Sequence, residues 1–147
     1  MIREMRARDK ETFLTLVREF YASPAVLHAV PEENFARTFA QIVSGSPYAK
    51  GYILETDGGP AGYALLALTY SNEVGGLAVW IEEVYIREAF RGQGLGAQFF
   101  AWLFDAYQGR AKRFRLELTP ENEGAARLYA RLGFTPLDYR QMILDAD

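Results

Sequence analysis

The chain has no cysteine and a single histidine, and these two scarcities exclude several kinds of chemistry. Without cysteine there is no disulfide framework, no thiolate-bound zinc or iron–sulfur cluster, and no acyl-thioester on the protein itself. His28 alone would have to serve any Ser-His-Asp triad, and no Gly-x-Ser-x-Gly elbow is present to pair with it. No His/Asp/Glu grouping has metal-ligand spacing, so no metal is expected. No run approaches the ~20 apolar residues that span a bilayer, and the opening MIREMRARDKETF lacks an apolar signal core. The expectation is a soluble, unexported, cytoplasmic protein without a membrane partner. Nor is there a block of five like charges: 16 Lys plus Arg against 19 Asp plus Glu leave a net charge of -3, which gives no pull toward nucleic acid.

What is present suits an ordinary globular core. A chain of 147 residues fits one domain spanning 1–147 and removes about 70% of its unfolded surface from water. Aromatics make up 14% of it, enough to pack a core and to line a pocket for an organic ligand. Ile2 to Met5 reads as a short strand, and Asp9 stands at the N-cap position before Phe13, Leu14, Val17, Phe20 and Tyr21 at helical spacing. Pro31 opens a second helix through Phe35, Phe39, Ile42 and Val43, which Ser44-Gly45-Ser46-Pro47 stops. Tyr52 to Glu55 and Ala61 to Thr69 are strands joined by a turn, and Leu77 to Ile86 is a third, longer strand. A helix from about Leu95 to Gln108, a strand Arg113 to Leu118, a helix from about Glu121 to Leu132 and strands Phe134 to Leu137 and Tyr139 to Leu144 complete the order. This order predicts an α/β (α+β) fold, a mixed, mostly antiparallel sheet of about seven strands flanked by four helices.

Residues 91 to 96 read Arg-Gly-Gln-Gly-Leu-Gly between a strand and a helix. Glycines there let backbone N–H groups turn toward an anion, the helix N-terminus adds about half a positive charge, and Arg91 can fork onto phosphate oxygens. A bare strand-to-helix connection is one alternative. A dinucleotide fold is another, since Gly92-x-Gly94-x-x-Ala97 has the spacing, but 30 residues after Glu117 cannot build the rest of a doubly wound sheet. A nucleoside-triphosphate loop is excluded because no Gly-Lys-Ser/Thr follows.

Arg91-x-x-Gly94-x-Gly96 resembles the acetyl-coenzyme A motif of the GCN5-related N-acetyltransferase family. The likeness continues through Trp80-Ile81-Glu82-Glu83-Val84-Tyr85-Ile86 before the loop and Glu121-Asn122-Glu123, Leu128-Tyr129 and Leu132-Gly133-Phe134 after it. It implies an acyltransferase that takes acetyl-coenzyme A as cosubstrate, held by Val84, Ile86, Arg91, Gly92, Gln93, Gly94, Gly96 and Asn122. Asn122 could equally cap its helix.

Acetyl transfer needs a neutral amine, and a free alkylamine with a pKa near ~10.4 must lose a proton first. The resemblance assigns that proton to a carboxylate on the long strand. Glu82 lies nine residues before Arg91, the offset found in diamine acetyltransferases, and is the candidate base. Strict alternation sets Glu82 on one face with Trp80, Val84 and Ile86, and Glu83 on the other, unless the strand is distorted. In the family the strand also splays from its neighbour, freeing amides at Val84 and Ile86, whereas a continuous sheet would leave no opening. By the same likeness Tyr129 protonates the departing thiolate, although its place among Ala125, Leu128 and Leu132 also suits a core tyrosine.

The acceptor is expected to be a small primary amine, polyamine or amino-acid-like, taken directly in a ternary complex. Tyr21, His28, Tyr70, Trp80 and Glu83 are the residues that could shape its pocket, Tyr70 and Glu83 foremost. A protein N-terminus or lysine as acceptor, and a non-catalytic acetyl-coenzyme A-binding module, are the competing expectations. The last hairpin could pair two copies in a homodimer, as is common in the family.

Overall fold

The computed structural model describes residues 1–146. Strand β1 (Ile2–Glu4) leads through a 3-10 turn into α1 (Lys10–Tyr21) and α2 (Glu32–Val43). Strands β2 (Ala49–Thr56), β3 (Gly59–Ser71) and β4 (Gly76–Ile86) follow, then α3 (Leu95–Ala106), β5 (Ala111–Leu116) and α4 (Glu123–Arg131). Met1–Glu117 form one compact unit and the residues from Leu118 onward a second.

The first unit is a five-stranded sheet in the order β1-β2-β3-β4-β5. Short turns make β2–β3 and β3–β4 antiparallel, β1 pairs antiparallel with β2 after the chain passes through α1 and α2, and β4 and β5 are parallel because α3 carries the chain back between them. One face is covered by α1 and α2, whose Phe13, Leu14, Leu16, Val17, Phe35 and Phe39 pack with Ile53, Tyr63 and Leu65. The other receives α3, where Trp102 stacks against Tyr52 and Phe104 against Phe114. Helices on both faces hold the sheet rigid.

The fold class is as expected, but the strand count is not. Five strands are found among the described residues instead of about seven, and Phe134–Leu137 and Tyr139–Leu144 carry no strand. Apolar β-formers mark a segment that fits a pleated surface, yet only a ladder partner makes it a strand, and Pro136 has no N–H to offer one.

Asp9 also departs from its expected role. It precedes α1, but its carboxylate bonds no helical N–H there. Instead it accepts both terminal nitrogens of Arg3 at 2.8 Å and the Arg6 N–H at 2.7 Å, while Arg3 also donates to Glu55 at 2.8 Å. This buried tie joins β1, the entry to α1 and β2. The Arg3 bonds hold Asp9 below the usual aspartate range. Its contribution is therefore complete above the unfolded value of ~3.9 and disappears as pH falls through the lower folded value. Asp9→Asn is expected to cost about 2–4 kcal/mol in urea unfolding at neutral pH, and to flatten the loss of stability below pH ~4.

Candidate active site

The centre of the site is an irregularity in β4. Leu65 of β3 pairs with Glu83 and its neighbour Leu66 pairs with Ile81, so Glu82 is an extra residue with no partner on β3. Such a bulge shifts the alternation of everything beyond it. Trp80, opposite Ala67, and Glu83, opposite Leu65, consequently share the face covered by α1, although their numbers differ by an odd step. Val84 and Ile86 belong with Ile81 on the opposite face, so the expected grouping of Trp80 with Val84 and Ile86 is corrected: the bulge lies between them.

Glu83 is clamped. Tyr21, the last residue of α1, donates to one carboxylate oxygen and Tyr63 of β3 to the other, each at 2.6 Å. Phe20 stacks edge-on against both Tyr21 and Tyr63 and closes the cluster. Desolvation raises the Glu83 pKa above the usual glutamate range, and the two hydroxyl donors oppose that rise. Glu82 has no such donors and is exposed at the residue level. Its pKa is nonetheless raised, chiefly by desolvation and then by the like charges of Glu83 and Glu117. Both tyrosines are shifted upward as well, first by burial.

The edge of β4 beyond the bulge is open. Its parallel pairing with β5 ends at Ile81–Leu116, while β4 continues to Ile86. The Arg87 N–H donates to Ala61 on β3 at 2.8 Å. Alternation then turns Tyr85 toward β3 and directs the N–H groups of Val84 and Ile86 to the open edge.

Arg87 also bonds Glu19 of α1 through two nitrogens at 2.6 and 3.0 Å, fixing the end of β4. Arg91 donates from Nε to the Ile86 carbonyl at 2.9 Å and lies 5.9 Å from the centroid of the Tyr85 ring. Its outer nitrogens stay available for a ligand. Gly92 and Gly94 have φ of +75° and +79°, values that a side chain strains, and Gly94 is the N-cap of α3. The first N–H groups of α3, from Leu95 and Gly96, lack helical acceptors there. Backbone donors, a helix end and a guanidinium thus gather at one loop, and Gln93 is exposed at its tip. Among the described residues no cluster of three or more His, Cys, Asp or Glu could hold a metal ion.

In the second unit Asn122 caps α4, its side chain accepting from the Ala125 N–H at 3.3 Å. Tyr129 packs edge-on against Phe134, with ring centroids 5.8 Å apart, and burial raises its pKa. Tyr70 is exposed near the end of β3 and His28 is exposed between α1 and α2. Two participants were not singled out from sequence: Tyr63, hidden within an apolar strand, and Glu117 as a neighbour of Glu82. The strand offset that brings Tyr63 opposite Tyr85, and so beside Glu83, has no local sequence signature.

Residues 11–134 match the Acetyltransferase (GNAT) family. The chain belongs to that family. As a GNAT protein it is an acyltransferase, and its relatives agree. The thialysine N-epsilon-acetyltransferase of Mus musculus is 27% identical over 90% of this chain and 82% of its own. Two solved structures share the fold at a TM-score of 0.79. The ribosomal-protein-alanine N-acetyltransferase of Brucella melitensis biovar Abortus 2308 is 17% identical over 99% of this chain and 98% of its own. AAC(6')-Iy, in complex with the bisubstrate analog CoA-S-monomethyl-acetylneamine, is 18% identical over 100% and 98%. No helix among the described residues of this GNAT chain is long and apolar enough to cross a membrane.

The clamp makes a direct prediction. Tyr63→Phe deprives a desolvated Glu83 oxygen of its donor, which is expected to cost about 1–3 kcal/mol at neutral pH. Because the folded Glu83 pKa already lies above the unfolded value and rises further in the variant, the loss is small below pH ~4 and grows as pH climbs through the folded value. Urea unfolding across that range measures it.

Proposed function

We propose that this GNAT chain transfers the acetyl group of acetyl-coenzyme A directly to a primary amine of a small molecule, within a ternary complex. The observation that carries this reading is the convergence, inside one compact unit, of the carboxylate bulge, the open β4 edge and the anion-ready loop before α3. In this reading Arg91, Gly92, Gln93, Gly94 and Gly96 hold the diphosphate, with the α3 N-terminus supplying fixed donors. The N–H groups of Val84 and Ile86 meet the pantetheine and the thioester carbonyl. Donors of this kind, aimed at a developing oxyanion, contribute about 3 to 4 kcal/mol in other acyl transfers.

Glu82, directly or through water, takes the proton of the bound ammonium. The freed nitrogen attacks the thioester carbon and the N–C bond forms; as the C–S bond breaks Tyr129 gives its proton to the thiolate, and the second proton lost by the nitrogen restores the Tyr129 hydroxyl through solvent. The role of Tyr129 rests on its family position, as does that of the Asn122 amide, whose oxygen caps α4 while its nitrogen is left to meet the cosubstrate. Glu83, Tyr70 and Tyr21 border the acceptor, and acidic surroundings with aromatic walls favour a cationic small amine by charge and cation–π attraction. Likeness to enzymes named for thialysine and for an acetylneamine-derived ligand supports a small-molecule acceptor.

A coenzyme A release assay with an amine panel tests the reading. Glu82→Gln is expected to lower kcat by about 10²–10⁴, and Tyr129→Phe to lower it less. Turnover of a peptide amine with every small amine inert would instead assign a protein acceptor. With Glu82 raised above the ordinary glutamate value of ~4.3, the acid limb of kcat/KM is expected above that pH. Glu83→Gln removes the neighbouring charge, so the limb moves to lower pH. Arg91→Ala is expected to weaken coenzyme A binding about tenfold or more in calorimetry, with folding unchanged.

A further inference from the structure

Arg115 has no assigned role, and its surroundings are unusual within this sheet. Three arginines lie within strands: Arg3, Arg113 and Arg115. Arg3 is paired with Asp9 and Glu55, and Arg113 donates to Glu73 at 2.8 Å. Among the described residues no carboxylate pairs with Arg115. Its guanidinium lies 4.2 Å from the centroid of the Trp80 ring, its register partner on β4, and both residues are half-buried. Stacking orients the planar fork and leaves its N–H donors unspent.

The β4 bulge decides what this cation faces. Because the extra residue is Glu82, Trp80 and Glu83 share one face, and that is the face on which Arg115 covers Trp80. Glu82 lies two residues along β4 from Trp80, a separation of about 7 Å. The negative end is therefore Glu83, on that face, with Glu82 beside it in the bulge and Glu117 near Glu82, and the positive end is the fork at Trp80, which no carboxylate pairs among the described residues. A polyamine would place a second ammonium beside that fork, where like charges repel. A molecule with an amine at one end and a carboxylate at the other satisfies both.

We infer that Arg115, stacked on Trp80, is a specificity-determining residue that binds the anionic group of a zwitterionic acceptor, a lysine-like amino acid whose amine and carboxylate are separated by a chain of about five carbons. This deepens the proposed function and rests on the amine meeting Glu82.

L-lysine and pentane-1,5-diamine separate the two classes, since they differ only by the carboxylate. The wild-type enzyme is expected to favour lysine by at least about tenfold in kcat/KM. Arg115→Gln removes that preference by raising the lysine KM and lowering the diamine KM, with kcat unaffected, and Arg115→Lys restores part of it. Calorimetric titration of the two amines into enzyme saturated with coenzyme A is expected to give the same order without turnover. Equal or reversed preference, binding of neither amine, an equal loss for both in Arg115→Gln, or weakened coenzyme A binding in that variant overturns the inference. Glu82→Gln distinguishes the two readings: if it leaves turnover intact while the Arg115-dependent preference persists, the base assignment fails and the acceptor assignment stands.

Discussion

The site depends on one residue too many in β4. A regular strand would set Glu82 and Glu83 on opposite faces and expose at most one to the reaction centre. The unpaired Glu82 instead stands next to a clamped Glu83; the charges of Glu83 and Glu117 raise its pKa, and its own charge raises that of Tyr21. A bulge is stable only where its neighbours determine it, and here they do. Glu83 is pinned by hydroxyls from α1 and β3, and Arg87 ties the end of the strand to Glu19 of α1. The packing of α1 on the sheet is thus part of the candidate site's geometry.

The second constraint is topological. A parallel strand cannot follow its neighbour through a tight turn, so the chain must leave β4, pass through α3 and return as β5. Because β5 stops at Leu116, the β4 backbone beyond Ile81 keeps its donors on that side. The same crossover starts α3 beside the end of β4, where Gly92 and Gly94 take conformations that aim main-chain donors outward. Backbone supplies most of this surface, and backbone donors need no reorganisation when charge develops on a ligand.

The glycine loop and the element order were legible in the sequence because each is local: a run of six residues, or a repeat of 3.6 or 2. The bulge was not, since an extra residue changes pairing without changing composition, and alternation applied to Trp80 through Ile86 therefore set Trp80 on the wrong side of Val84. Tyr63 was missed for a related reason, because its hydroxyl finds Glu83 only once β3 and β4 are in register. Asp9 had the right residue type for a cap, but the arginine on β1 competes for its carboxylate and prevails with two charge-assisted bonds. The final strands failed because strand formation needs a partner as well as propensity.

Two adjacent glutamates also raise the question of which one carries the proton. Desolvation raises the pKa of both, and the charge of Glu83 raises that of Glu82 further. The tyrosine hydroxyls break the symmetry. An O–H donor stabilises a carboxylate more than a carboxylic acid, and both oxygens of Glu83 receive one. The donors thus favour the ionised form of Glu83, whose charge raises the pKa of Glu82. The residue without donors is also the one exposed to solvent. Environment thus separates two chemically identical side chains: one holds its charge between two hydroxyl donors, and the other, without donors, has its affinity for a proton raised by that charge.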